Sequence, residues 1–122
     1  MPDLLIVDDE LDVREFAANF FRKRKIDVAT AGSGEEALEI IGKTTPMLVL
    51  LDIKMSGIDG IETLRRIRET RPDLKVIMVT GRKPEEEGFV QCKALGALEY
   101  IHKPLELDEL QRVVMGILKN AS

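Results

Sequence analysis

Three short stretches of this chain are almost wholly apolar: LLIV at 4–7, MLVLL at 47–51 and VIMV at 76–79. Continuous apolar runs of this length read as strands covered on both faces, as in a parallel sheet with helices on either side. Two further runs, IDVAT at 26–30 and LEYI at 98–101, alternate between apolar and polar residues. Alternation of that kind marks a strand with one wet side. The sequence therefore predicts three central strands and two less protected outer ones.

Helical spacing fills the intervals. Residues 11–24 place Val13, Phe16, Ala17, Phe20 and Phe21 on one face. Ser33 with Glu36 forms a capping box before Ala37, Leu38 and Ile41, and Asp59 with Glu62 repeats it before Ile61, Leu64 and Ile67. Pro84 suits the first turn of a fourth helix whose apolar face holds Phe89 or Val90, Cys92 and Leu95. Gly88 inside it should weaken it by about 1 kcal/mol relative to alanine. A last helix spans about 106–119 and carries Leu107, Leu110, Val114, Ile117 and Leu118. Strand followed by helix, five times over, implies right-handed crossovers and helices on both faces of the sheet. The fold class is α/β: a doubly wound (βα)5 three-layer sandwich around a parallel five-stranded sheet.

A chain of 122 residues predicts one domain, here 1–122, with no linker and no output domain after the last helix. Hydrophobic residues make up 44% and charged residues 33%, a globular rather than disordered composition. A net charge of −4 argues against direct nucleic-acid binding. The runs RRIRETR at 65–71 and FRKRK at 21–25 read as solvated helix ends. Cys92 is the only cysteine, which suits a reducing cytoplasm. No run approaches the roughly 20 apolar residues of a membrane helix, and the N-terminus lacks the pattern of a signal peptide. The expectation is a cytoplasmic chain without membrane insertion.

In a sheet whose strands all point one way, the residues at the C-terminal strand ends gather on one edge. Asp8 and Asp9 follow the first strand, Asp52 ends MLVLLD, Thr80 ends VIMVT and Lys103 follows LEYIH. Singly, Asp8 could cap a helix and Asp52 could sit in a turn. What singles them out is that three carboxylates, a hydroxyl and an ammonium meet from four distant places. Two like charges about 4 Å apart repel by roughly 4 kcal/mol at an effective dielectric of 20. A shared proton or a bound cation would relieve that. Oxygen ligands without histidine or cysteine point to a hard ion, and a small protein ligand set favours Mg²⁺ over a caged Ca²⁺.

Together DDE at 8–10, LLDIKMSGIDG at 50–60, VT at 79–80 and KP at 103–104 resemble the response-regulator receiver domain of two-component signalling, in order and over the whole chain. The resemblance implies a flavodoxin-like fold of strand order 2-1-3-4-5, which agrees with the edge strands above. It implies a signalling switch rather than an enzyme acting on outside substrates. Asp52 would accept a phosphoryl group from a sensor histidine kinase or a histidine phosphotransfer protein. Asp8, Asp9, Asp52 and the main-chain carbonyl of Lys54 would hold Mg²⁺. Thr80 and Lys103 would bind phosphoryl oxygens, with Lys103 ahead of a cis Pro104. Tyr100 would move with Thr80 as the switch. The face of the fourth helix, fifth strand and fifth helix would meet a downstream partner protein.

Some positions depart from that pattern. Ser56 stands where the family usually has proline, which predicts a looser loop. Gly81 replaces a larger residue, which widens access, and Lys54 and Arg82 add cations beside the site. The segment from Thr80 to Lys103 is about one residue longer than usual. Two other functions fit the same fold. An interaction module that is never phosphorylated would not need the intact acids. An Mg²⁺-dependent phosphohydrolase would need a second acid at 54, where this chain has lysine.

Overall fold

The computed structural model describes residues 2–81 and 87–121. The elements run β1 (Leu4–Val7), α1 (Leu11–Arg22), β2 (Val28–Ala31), α2 (Gly34–Lys43), β3 (Leu48–Asp52), α3 (Gly60–Thr70), β4 (Lys75–Thr80), α4 (Glu87–Ala94) and β5 (Glu99–His102). A continuous helical segment follows, in which α5 (Leu107–Leu110) and α6 (Gly116–Ala121) flank a π-helical stretch at Gln111–Met115. The five strands form one parallel sheet of order β2-β1-β3-β4-β5. This is the predicted doubly wound, flavodoxin-like architecture. No helix among the described residues is long and apolar enough to cross a membrane.

Alternation along the strands divides the core in two. Leu4, Ile6, Leu48, Leu50, Ile77, Val79 and Ile101 face α1 and the C-terminal helical segment, packing on Ala17, Phe21, Val114 and Leu118. Their neighbours Leu5, Val7, Val49, Leu51, Val76 and Met78 face the other way, onto Ala37, Ile41, Leu64, Ile67 and Cys92. Every residue of β1 and β3 is buried. Each leucine so covered contributes about 1.5–3 kcal/mol. The outer strands β2 and β5 are only partly covered, as their alternation predicts.

Both predicted caps are present. The Glu36 amide donates to Ser33 Oγ at 3.1 Å and the Glu62 amide to Asp59 Oδ1 at 2.8 Å. Glu36 reaches back to the Gly32 amide (2.7 Å) rather than to that of Ser33.

Local pattern misplaced some details. The second strand begins at Val28, not 26, because pairing starts at Leu4↔Val28 and the Ile26 amide closes the end of α1 on Phe21 O at 3.1 Å. Phe16, Val90 and Leu107, assigned to buried faces, are 48%, 66% and 39% exposed. Helical spacing marks a stripe wider than the sheet covers. Pro84 and Arg82 lie outside the described residues, as does the side chain of Phe89. Arg68, read as part of a solvated helix end, is instead a clamp. It donates to Leu74 O and Leu95 O at 2.6 Å each and to Gly96 O at 3.2 Å, tying α3 to the turns that open β4 and β5.

Candidate functional site

Parallel register brings the strand ends level. Asp52 pairs with Val79, and Thr80 with His102. The Asp8 amide extends the β1 ladder to Ala31 O at 3.1 Å. Its Oδ1 then accepts the Glu10 amide at 2.9 Å, and its carbonyl accepts Arg14 Nη1 at 2.7 Å. This short turn swings the chain from β1 into α1 and fixes Asp8 at the sheet edge. Across the sheet the Lys103 amide donates to Thr80 O at 2.9 Å, just ahead of a cis Lys103–Pro104 bond.

Lys103 Nζ is the hub of the cluster. It lies 3.0 Å from Asp52 Oδ2, 3.2 Å from Asp8 Oδ2 and 3.2 Å from Glu10 Oε1. Asp8, Asp52 and Thr80 are each 3% exposed, whereas Asp9 and Glu10 lie at the rim. Burial, joined by the charge of Asp8, pushes the Asp52 carboxyl up to about 6, and Lys103 only partly offsets this. Burial also acts to lower the Lys103 ammonium, but Asp52 and Asp8 outweigh it and hold the group above the ordinary lysine range.

The loop after β3 frames Asp52. The Lys54 amide bonds the Asp52 carboxylate, while the Lys54 side chain is exposed. The Ile53 amide donates to Val79 O at 3.0 Å and the Gly60 amide to Ile53 O at 2.7 Å. Gly60 is required here: a Cβ would collide with the carbonyl of Asp52 and with Ile53 Cα. Gly57 takes φ +77°, which lets the loop turn.

Asp9, predicted beside Asp8 and Asp52, turns instead to this loop. Its Oδ2 accepts the Ser56 amide at 3.0 Å and lies 3.5 Å from Ser56 Oγ. Glu10 stands in its place, with carboxylate oxygens of Asp8, Glu10 and Asp52 within 4.8 Å of one another. Sequence reasoning missed this, because spacing along a turn does not reveal which of two adjacent acids faces inward. The Lys103–Glu10 contact joins positions 93 residues apart.

Three carboxylates around one ammonium leave negative charge in excess. Every donor is a hard oxygen, and the oxygens are close enough together to share one cation. The residues thus fit a small divalent ion such as Mg²⁺.

Tyr100 lies on β5 beside α4. Its hydroxyl donates to Gly88 O at 3.0 Å and also bonds the Cys92 thiol. Burial, then Cys92, lifts the phenol above its ordinary range. Cys92, read from sequence as apolar filler, is fully buried but also ties α4 to this tyrosine.

The sequence matches the family described as the response regulator receiver domain over residues 4–115. It is 38% identical to sporulation initiation phosphotransferase F of Bacillus subtilis (strain 168) over 115 residues, covering 94% of this chain and 92% of that protein. Other curated relatives, 34–37% identical, are longer, and the chain spans 24–52% of their length. Among solved structures it is similar to a CheY-like receiver domain protein from Methanospirillum hungatei JF-1 (TM-score 0.91, 30% identity, covering 97% of this chain and 94% of that one). It is also similar to the response regulator protein TrrA from Thermotoga maritima, in complex with Mg²⁺–BeF (TM-score 0.84, 34% identity, covering 96% and 99%).

Proposed function

The chain belongs to the response regulator receiver domain family, and we propose that it takes a phosphoryl group from a histidine kinase or phosphotransfer protein onto Asp52 in a Mg²⁺-dependent reaction. The observation that carries this reading is the buried Asp52 carboxylate at the end of β3, 3.0 Å from Lys103 Nζ. A carboxylate pushed up to about 6 is still mostly ionised at neutral pH, so it can act as a nucleophile.

In the step proposed, an Asp52 oxygen bonds phosphorus as the bond from phosphorus to the histidine nitrogen breaks. The imidazole departs with that electron pair. Lys103 follows the phosphoryl group and offsets its negative charge, and Thr80 donates a hydrogen bond to a second oxygen. Little covalent chemistry is asked of the protein beyond this, and positioning with charge stabilisation carries the rate. Asp8, Asp9, Asp52 and the Lys54 carbonyl would hold Mg²⁺, with Glu10 beside them. When bound, the ion supplies positive charge against the three carboxylates and the incoming phosphoryl oxygens. The Mg²⁺–BeF complex of TrrA, a similar protein, supports placing the ion in this fold.

Output is proposed to run through Thr80 and Tyr100 to a partner protein on the face of α4, β5 and α5. Val90, Leu98 and Leu107 are exposed there, at 66%, 46% and 39%. The test is intact mass after incubation with acetyl phosphate. The expected result is a gain of one phosphoryl group that needs Mg²⁺ and is absent in Asp52→Asn. No gain in the folded wild type would sink the reading and leave an interaction module.

A further inference from the structure

Ser56 makes a contact that bears on cation binding. Its amide donates to Asp9 Oδ2 at 3.0 Å, whereas its hydroxyl, at 3.5 Å, is at the limit of a hydrogen bond. The amide therefore carries the interaction. Its acceptor is a carboxylate oxygen, a kind of acceptor that makes stronger hydrogen bonds than a neutral carbonyl. It joins the turn after β1 to the loop after β3 across 47 residues. Asp9 is meanwhile absent from the group of carboxylates that share the centre, which is Asp8, Glu10 and Asp52.

One oxygen of Asp9 is thus engaged by a donor that would compete with a cation for the carboxylate. Resting on the Mg²⁺ reading above, we propose that Ser56 is a positioning residue that latches Asp9 outward. A divalent cation that takes Asp9 Oδ2 displaces the Ser56 amide, and one that takes Oδ1 must turn the carboxylate from where that amide holds it. The latch lowers resting affinity for the ion and leaves Asp8, Glu10 and Asp52 to meet it first. It depends on a backbone N–H at position 56, which proline lacks. Substitution by alanine, by contrast, removes only the weak hydroxyl contact.

Titration calorimetry with Mg²⁺ on the full chain tests this. Ser56→Pro should tighten binding about threefold to tenfold, the value of one net hydrogen bond. Ser56→Ala should stay within about twofold of wild type. In an Asp9→Ala background, titrated to higher Mg²⁺, adding Ser56→Pro should change nothing. The wild type supplies a second readout: exchange of the Ser56 amide with solvent should speed up as Mg²⁺ saturates the site. Weaker or unchanged binding in Ser56→Pro, tightening that persists without Asp9, or slower amide exchange on Mg²⁺ addition would each overturn the latch. An absence of Mg²⁺ binding in every variant would instead overturn the Mg²⁺ reading on which it rests.

Discussion

β3 and β5 each deliver a residue to the same site, yet they are held very differently. β3 is paired on both sides, and all five of its residues are buried. Among the described residues β5 pairs only with β4, and of its four residues only Ile101 is buried. Asp52 therefore rides on an element that cannot shift without disturbing both cores. Lys103 and Tyr100 ride on the edge, beside an α4 that carries an internal glycine and an exposed Val90. Chemistry needs an acceptor held to a fraction of an ångström. A readout needs a segment that moves at low cost, and edges with few buried contacts supply it. On the proposed function, the sheet would offer both within two strands.

The largest expected effect breaks the stiff side of this contrast. Leu51→Ala should lose about 3–4 kcal/mol, because Leu51 is fully buried between the sheet and α2 and α3. Leu98→Ala, at the entry to β5, should stay within about 0.5 kcal/mol of wild type. Urea unfolding measures both, and equal losses would erase the distinction.

Next comes the charge stored at the end of β3. The folded Asp52 carboxyl sits at about 6, above its ordinary value of 3.8. Between those values the folded state holds more protons than the unfolded one. Asp52 therefore costs the metal-free protein stability as pH rises from about 4 to about 6, and the cost persists above that. Asp52→Asn should stabilise the metal-free protein by about 1–2 kcal/mol at pH 8, and the gain should vanish near pH 4. Denaturant midpoints across pH would check it, and a mutant less stable at pH 8 would contradict it.

A smaller effect sharpens the soft side. Tyr100→Phe removes the donor to Gly88 O and should cost about 1 kcal/mol. It should also speed amide exchange in α4 about fivefold while leaving β3 unchanged. Native-state exchange reads both at once.

How much of this was legible before any coordinates depends on what sets each feature. LLIV, MLVLL and VIMV announce β1, β3 and β4 because burial on both faces leaves no polar position. Asp8, Asp52, Thr80 and Lys103 could be placed together because parallel strands end on one edge. The start of β2 could not, since its pairing with Leu4 decides it. Phe16 looked buried because spacing along a helix does not say how wide a stripe the sheet covers. Arg68 looked solvated because its carbonyl partners lie in turns up to 28 residues away. The inward turn of Glu10 and the outward turn of Asp9 depend on Lys103 and Ser56, contacts no local pattern encodes.

The most direct test of the contrast is amide hydrogen exchange on the wild type, before and after phosphorylation with acetyl phosphate and Mg²⁺. Protection in Leu4–Val7 and Leu48–Asp52 should stay constant, while Glu87–Ala94 and Glu99–His102 change several-fold. A change that spreads evenly through the sheet, or that falls on β3 and spares β5, would contradict the division between a fixed centre and a mobile edge.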